Sequence, residues 1–255
     1  YEKIDQAINL VNQRQEPVFV HVHWMGTHGS KFYPTSTTFS EGIDRATQEP
    51  WNKNLYDDSI LDFDVAVANL YNSLNDINEA DNTIVIITSD HGQLYTTNDR
   101  LPLIILMSNP LSANRPQKTT ENIDISPTIL DLLNIPKPRW MQGYSLFTNE
   151  GLNSPTFSVT HANATIIDGV WSIDPQYSSP PFYQIDTVAL IDCNKYYKLH
   201  LQEEGYFWDQ YFLPSYHGSC LDKDYLSLTD IRLAVIKQLK ADGFEFEESL
   251  IPDIY

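Results

Sequence analysis

Asp90 and His91 close the run Asp81–Gly92, DNTIVIITSDHG, in which β-branched apolar residues stop abruptly at an acid, a histidine and a glycine. A hard carboxylate oxygen beside an imidazole nitrogen is half of a divalent-metal site. Gly92 lets the backbone turn sharply straight after them. The same three residues also make an ordinary polar turn, and on their own they do not choose between the two. His28 is the second candidate. It lies in Met25-Gly26-Thr27-His28-Gly29, where two glycines allow the backbone to come close to a ligand. His21 and His23 stand two apart, on one face of an extended segment, and read as core or near-core histidines satisfied by neighbours.

The elements around these residues must bring them to one edge. Val18–Trp24, VFVHVHW, alternates and is β-branched, which predicts a strand running into the His28 loop. Thr83–Thr88 predicts a second strand, apolar enough to be buried on both faces as in parallel sheets. Between them Ile60, Phe63, Val67, Leu70 and Leu74 recur every three or four residues, a long helix. Strand, helix and strand predict a right-handed βαβ unit with parallel strands, whose carboxyl ends would put His28, Asp90 and His91 on the sheet's ligand edge. A helix over Glu2–Arg14 precedes this unit, and Ser30–Asn54 reads as a long loop, a lid or substrate wall.

After the polar stretch Gln93–Arg100, Pro102–Met107 predicts a further buried strand. Ile123–Ile135 predicts a helix capped by Asp124 or Ser126 with Pro127 in its first turn. From Ser154 the pattern shifts to short strands: Thr156–Thr160, Ala162–Ile167, an Asp168-Gly169 turn, Val170–Ile173 and Lys195–Leu201, with a closing helix over Tyr225–Asp242. The expected class is α/β. Residues 1–150 would form a mostly parallel sheet with helices on both faces, and 151–255 a small C-terminal α+β subdomain with an antiparallel hairpin and a helix.

Composition narrows the function. The 255 residues are 42% hydrophobic with 15 Tyr, 11 Phe and 5 Trp, a globular balance. Against 16 Lys and Arg stand 34 Asp and Glu, a formal charge of −18, which repels phosphate backbones and excludes nucleic acid as an expected partner. It also argues weakly against polyanionic substrates unless a local basic site overrides it. No apolar run approaches the ~20 residues of a membrane helix, and an anchoring or targeting segment would have to lie upstream. Cys193 and Cys220 have no CxxC spacing, so they are either one disulfide or two buried thiols. The sequon at Asn163 is single and carries little weight.

Four pieces in this order, HVHWMGTHG, YDDSILDFDVAVANLYNSL, DNTIVIITSDHG, and RLPLIIL followed by DISPTILDLLNIPKPRWMQGYSL, resemble the C-terminal half of the sulfatase-like catalytic domain of the alkaline phosphatase superfamily. The likeness covers roughly Glu16–Leu146. Within that superfamily, Asp-His in SDHG and the His23–Gly29 loop resemble the phosphoethanolamine transferases and lipoteichoic acid synthases. The resemblance implies a metal-dependent hydrolase or transferase acting on a sulfate or phosphate ester. Asp90 and His91 would be ligands of a divalent ion (Mn, Zn or Ca), His28 a substrate-binding, transition-state-stabilising histidine, and His23 a further substrate-binding candidate. It also implies an extracytoplasmic location, and a nucleophile and further acidic ligands from strands before residue 1. A relative that keeps the fold as a binding or structural module without turnover is the alternative.

Overall fold

The computed structural model describes residues 2–92, 100–108, 120–148, 150, 155–161, 164–167, 170–173, 180–201, 205–213 and 225–255. The chain divides into two compact units, Tyr1–Ser112 and Ala113–Tyr255.

In the first unit α1 (Glu2–Gln13) packs on the long helix α2 (Lys53–Asp76). Ile4 and Ala7 are buried on α1, and Leu55, Ala66 and Leu74 on α2. Arg14, just past α1, bonds Glu79 at 2.5 Å and ties the end of one helix to the end of the other. The Asn52 side chain caps α2 by accepting from the Leu55 N–H at 3.2 Å. Asn78 ends it in the left-handed region at φ 57°, where Glu79 N–H reaches back to the Leu74 carbonyl at 2.8 Å. Strands β1 (Val85–Thr88) and β2 (Leu103–Leu106) follow and pair with each other, Val85 opposite Leu106 and Thr88 opposite Leu103.

That pairing is antiparallel, and every ladder among the described residues is antiparallel. This corrects the expected parallel alignment of these strands. An unbroken apolar run reports burial on both faces but carries no information about direction. Val18–Trp24 joins no ladder among the described residues, and Val18 and Phe19 are 47% and 79% exposed. β-Branched alternation favours an extended backbone; a strand also needs a partner for its N–H and C=O groups.

In the second unit α3 (Ile125–Leu132) starts from a short 3-10 turn over Asn122–Asp124. Asp124 stands at the N-cap of α3, but its side chain makes no cap hydrogen bond to that helix, which corrects the expected cap. Asp124 accepts from Glu121 N–H at 3.2 Å and from Tyr144 N–H at 2.7 Å, so its carboxylate also pins the segment after the helix. Strands β3 (Thr156–His161), β6 (Ile185–Asp192), β7 (Lys195–His200) and β8 (Phe207–Phe212) form a sheet in the order 3-6-7-8. A separate ribbon joins β4 (Ala164–Ile167) to β5 (Val170–Ile173). The Asp168-Gly169 turn lies outside the described residues.

Helix α4 (Leu228–Ala241) presents Ile231, Val235, Ile236 and Leu239 to one face of the larger sheet, where Val188, Leu190, Tyr197 and Leu199 complete the core. Each such side chain contributes on the order of 1.5–3 kcal/mol by leaving water. The Ser227 hydroxyl caps α4 by accepting from Asp230 N–H at 3.1 Å. Cys193 is disulfide-bonded, while Cys220 lies outside the described residues.

Candidate functional site

His28 rides on a turn closed by its own N–H, which donates to the Met25 carbonyl at 3.1 Å. The turn folds over the indole of Trp24, whose ring packs against Phe63 of α2 at 5.7 Å between centroids. Gly26 makes the fold-over feasible, since a Cβ there would stand 2.6 Å from Trp24 Nε1 and 3.3 Å from Cε2. Gly29, at φ 98°, then turns the chain away in a conformation that favours glycine. The outcome is an exposed His28 on a short arm braced by an aromatic wedge against α2.

Asp90 and His91 occupy a turn at the end of β1 that is bonded to itself. Asp90 Oδ1 accepts from His91 N–H at 3.0 Å, and the Ser89 hydroxyl donates to the His91 carbonyl at 2.6 Å. His91 Nδ1 lies 2.8 Å from the Gly92 carbonyl oxygen. That oxygen only accepts, so the proton belongs on Nδ1, and a neutral imidazole carries its lone pair on Nε2. Nε2 is 3.7 Å from Asp90 Oδ2. The Asp90 side chain is 69% exposed and that of His91 33%.

The donor chemistry fits a divalent cation. It offers a hard carboxylate and an imidazole whose tautomer is set by a carbonyl on its other nitrogen, the usual arrangement for a ligating histidine. Among the described residues no group of three or more His, Cys, Asp or Glu is arranged to hold an ion. Further donors would therefore come from outside the described residues.

The two arms meet. The rings of His28 and His91 lie 5.8 Å apart, edge to face at 73°. His23 is elsewhere: it is exposed and stacks on His21 with centroids 6.3 Å apart and planes 9° from parallel. The reading of His21 and His23 as core histidines is thus corrected, because among the described residues Val18–Trp24 has no sheet neighbour to bury them.

Beyond Gly29, where the sequence predicts a long loop over Ser30–Asn54, the chain forms a loop closed by its own hydrogen bonds. Trp51 N–H returns to the Ser30 carbonyl at 2.7 Å. Buried Gln48 accepts from Phe32 N–H at 2.9 Å and donates to the carbonyls of Phe32 and Arg45, both at 3.0 Å. Phe32, 1% exposed, packs between the rings of Trp51 and Tyr56.

Two carboxylates one turn apart on α2 hold the middle of this loop. Asp58, fully buried, accepts from the N–H groups of Phe39 and Ser40, each at 3.0 Å, and from the Ser40 hydroxyl at 2.5 Å. Asp62 accepts from the N–H and hydroxyl of both Thr35 and Ser36 at 2.5–3.0 Å. Burial alone would raise both pKa values. The converging donors outweigh it and hold both carboxyls below the usual carboxylate range. Sequence reasoning missed this clamp; the available signal was a pair of Asp at i and i+4 on α2, following a loop rich in Ser and Thr.

Comparison with known proteins places this geometry in context. The family model described as Sulfatase matches residues 1–135. An extracellular sulfatase SULF-1 homolog of Drosophila melanogaster is 31% identical over 96 residues, covering 32% of this chain and 9% of that protein. An N-acetylglucosamine-6-O-sulfatase of Bacteroides thetaiotaomicron is 33% identical over 109 residues, covering 36% of this chain and 20% of that protein. Among solved structures, one titled as Ps i-CgsB in complex with k-i-k-neocarrahexaose superposes with a TM-score of 0.61 at 14% identity, covering 95% of this chain and 54% of that one. The chain thus spans a fifth or less of these two curated relatives and about half of the solved structure. At that identity the structural likeness supports the α/β fold.

Proposed function

The chain belongs to the sulfatase family, and from that premise we propose that it forms part of a divalent-metal-dependent sulfuric-ester hydrolase acting on a sulfated sugar outside the cytoplasm. The observation that carries the reading is the meeting of the His28 and His91 rings, delivered by two separate segments, with Asp90 beside them. The saccharide and the location are supported by what the relatives are named for: an N-acetylglucosamine sulfate ester, an extracellular sulfatase, and a structure that holds a neocarrahexaose.

In this reading Asp90 and His91 hold the cation and His28 donates an N–H to an oxygen of the sulfate group. A divalent ion supplies Lewis-acid stabilisation of the negative charge on the reacting ester. His91 keeps its Nδ1 proton on the Gly92 carbonyl, which leaves Nε2 as the donor atom. His28 adds a hydrogen bond that strengthens as charge develops on the sulfuryl oxygen, the kind of interaction that lowers a barrier. The arm carrying it is braced by Trp24, so the imidazole does not have to be ordered during the reaction.

A phosphate ester is the second reading, favoured by the Asp90-His91 pair itself, which resembles the transferase branch of the superfamily. The deciding experiment is to supply the intact protein with a 6-O-sulfated N-acetylglucosamine and, separately, its 6-O-phosphate, and to quantify inorganic sulfate and phosphate. Sulfate release that falls at least about 100-fold in His28→Ala supports the proposal. Phosphate release alone would favour the second reading. No release of either, with the ions bound and the fold intact, would favour a non-catalytic module.

A further inference from the structure

We infer that Lys31 and Arg45 form an anion-recognising subsite that reads a second negative group on the substrate, beyond the ester being cleaved. The inference rests on the sulfated-sugar reading above and adds to it a preference for substrates carrying at least two anionic groups. Lys31 is three residues past His28, and Arg45 lies on the returning limb of the same loop.

The loop brings the two limbs together by construction. One nitrogen of the buried Gln48 amide donates to both the Phe32 and the Arg45 carbonyl at 3.0 Å, so these oxygens lie within about 6 Å of each other. Lys31 is the residue before Phe32, so the two cations stand on adjoining stretches of backbone. That backbone is fixed by the Trp51-to-Ser30 closure and by the clamp of Asp58 and Asp62. A fixed frame matters because less side-chain and loop entropy is then lost when a ligand binds.

Charge pairing supplies the second observation. In a chain with a net charge of −18, cations normally find carboxylates, and Arg14 and Lys53 of the same unit do so with Glu79 and Asp57. Neither Lys31 nor Arg45 has an ion pair or side-chain hydrogen bond among the described residues. The acid nearest Arg45 in sequence, Asp44, is engaged by Ala46 N–H at 2.9 Å and by the Thr47 hydroxyl at 3.1 Å. Two cations with no ion pair among the described residues, on a fixed loop that begins just past His28 in the chain, therefore meet a sulfate or carboxylate without breaking a described internal bond. They also supply the local basic site that an otherwise acidic surface needs in order to accept a polyanion.

The test is calorimetric titration of the intact protein, wild type and Lys31→Ala/Arg45→Ala, with a disulfated disaccharide and with its monosulfated counterpart. Both positions are on the surface loop, and circular dichroism checks that the double variant is folded. The wild type should bind the disulfated compound about 10-fold or more tighter, with a steeper salt dependence, and the double variant should lose that preference. A preference that persists unchanged in the double variant, or no preference in the wild type, overturns the subsite while leaving the sulfated-sugar reading intact. Failure of the wild type to bind either compound overturns both.

Discussion

Gly26→Ala should lower turnover steeply at a modest cost in stability. The added Cβ would stand 2.6 Å from Trp24 Nε1, short of an ordinary 3.4 Å contact by about 0.8 Å. The indole is rigid and backed by Phe63, so the arm, whose Gly26 is exposed, gives way instead of the ring. A shift approaching 1 Å two residues before His28 displaces the imidazole by a similar distance. Misplacement on that scale costs about 100-fold in rate, while overpacking strain of this kind costs about 1–3 kcal/mol. The assay pairs sulfate release with urea unfolding followed by circular dichroism. Wild-type turnover in Gly26→Ala would refute the placing of His28 by the close packing of Gly26 on Trp24.

The clamp predicts an acid-labile loop. Asp58 and Asp62 have folded-state pKa values below their unfolded ones, so their stabilisation is fully present above the unfolded carboxylate pKa, near ~4, and is lost as pH falls through the lowered folded values. Urea midpoints should hold between pH 7 and 5 and fall below pH ~4, and Asp58→Asn should be less stable at pH 7 with a shallower acid limb. In the second unit, Gly143 has φ 75° and a Cβ there would meet the Ile123 carbonyl oxygen at 2.4 Å. Gly143→Ala should therefore cost roughly 2 kcal/mol or more by urea denaturation, because both the backbone conformation and the contact oppose it.

Helical periodicity was the most legible feature of the chain. Glu2–Arg14 became α1 over Glu2–Gln13, and Tyr225–Asp242 became α4 over Leu228–Ala241. Amphipathic spacing is a local property, and these helices bury the faces it marks. Sheet structure was legible as composition and not as topology. Val85–Thr88 and Leu103–Leu106 are strands, but side-chain pattern could not say that they run antiparallel. β6 and β8 were not anticipated at all. In β6 the run VALID is buried throughout, which gives no alternation, and β8 mixes exposed aromatics with Asp209 and Gln210 in place of a polar-apolar rhythm.

The candidate site divides the same way. Asp90, His91 and His28 stood out because unusual residue types sit beside glycines at the ends of apolar segments. The structure brings the His28 and His91 rings together, though among the described residues no ladder joins those segments. What positions His28 was hidden, since Trp24 against Phe63 and the carboxylate clamp are contacts between distant residues. Asp58 in particular carries no local signal, and only the long-range donors from Phe39 and Ser40 reveal it as a buried anion.

The central claim is that Asp90 and His91 together hold a divalent ion needed for ester cleavage. The measurement that tests it most directly is calorimetric titration of Mn²⁺, Zn²⁺ and Ca²⁺ into the metal-stripped intact protein and its Asp90→Ala and His91→Ala variants, with sulfate release followed in the same samples. One of these ions should bind the wild type and restore activity, and each variant should lose at least about 10- to 100-fold in affinity together with turnover. Equal binding by wild type and variants would contradict it and show that Ser89–Gly92 is a turn and nothing more.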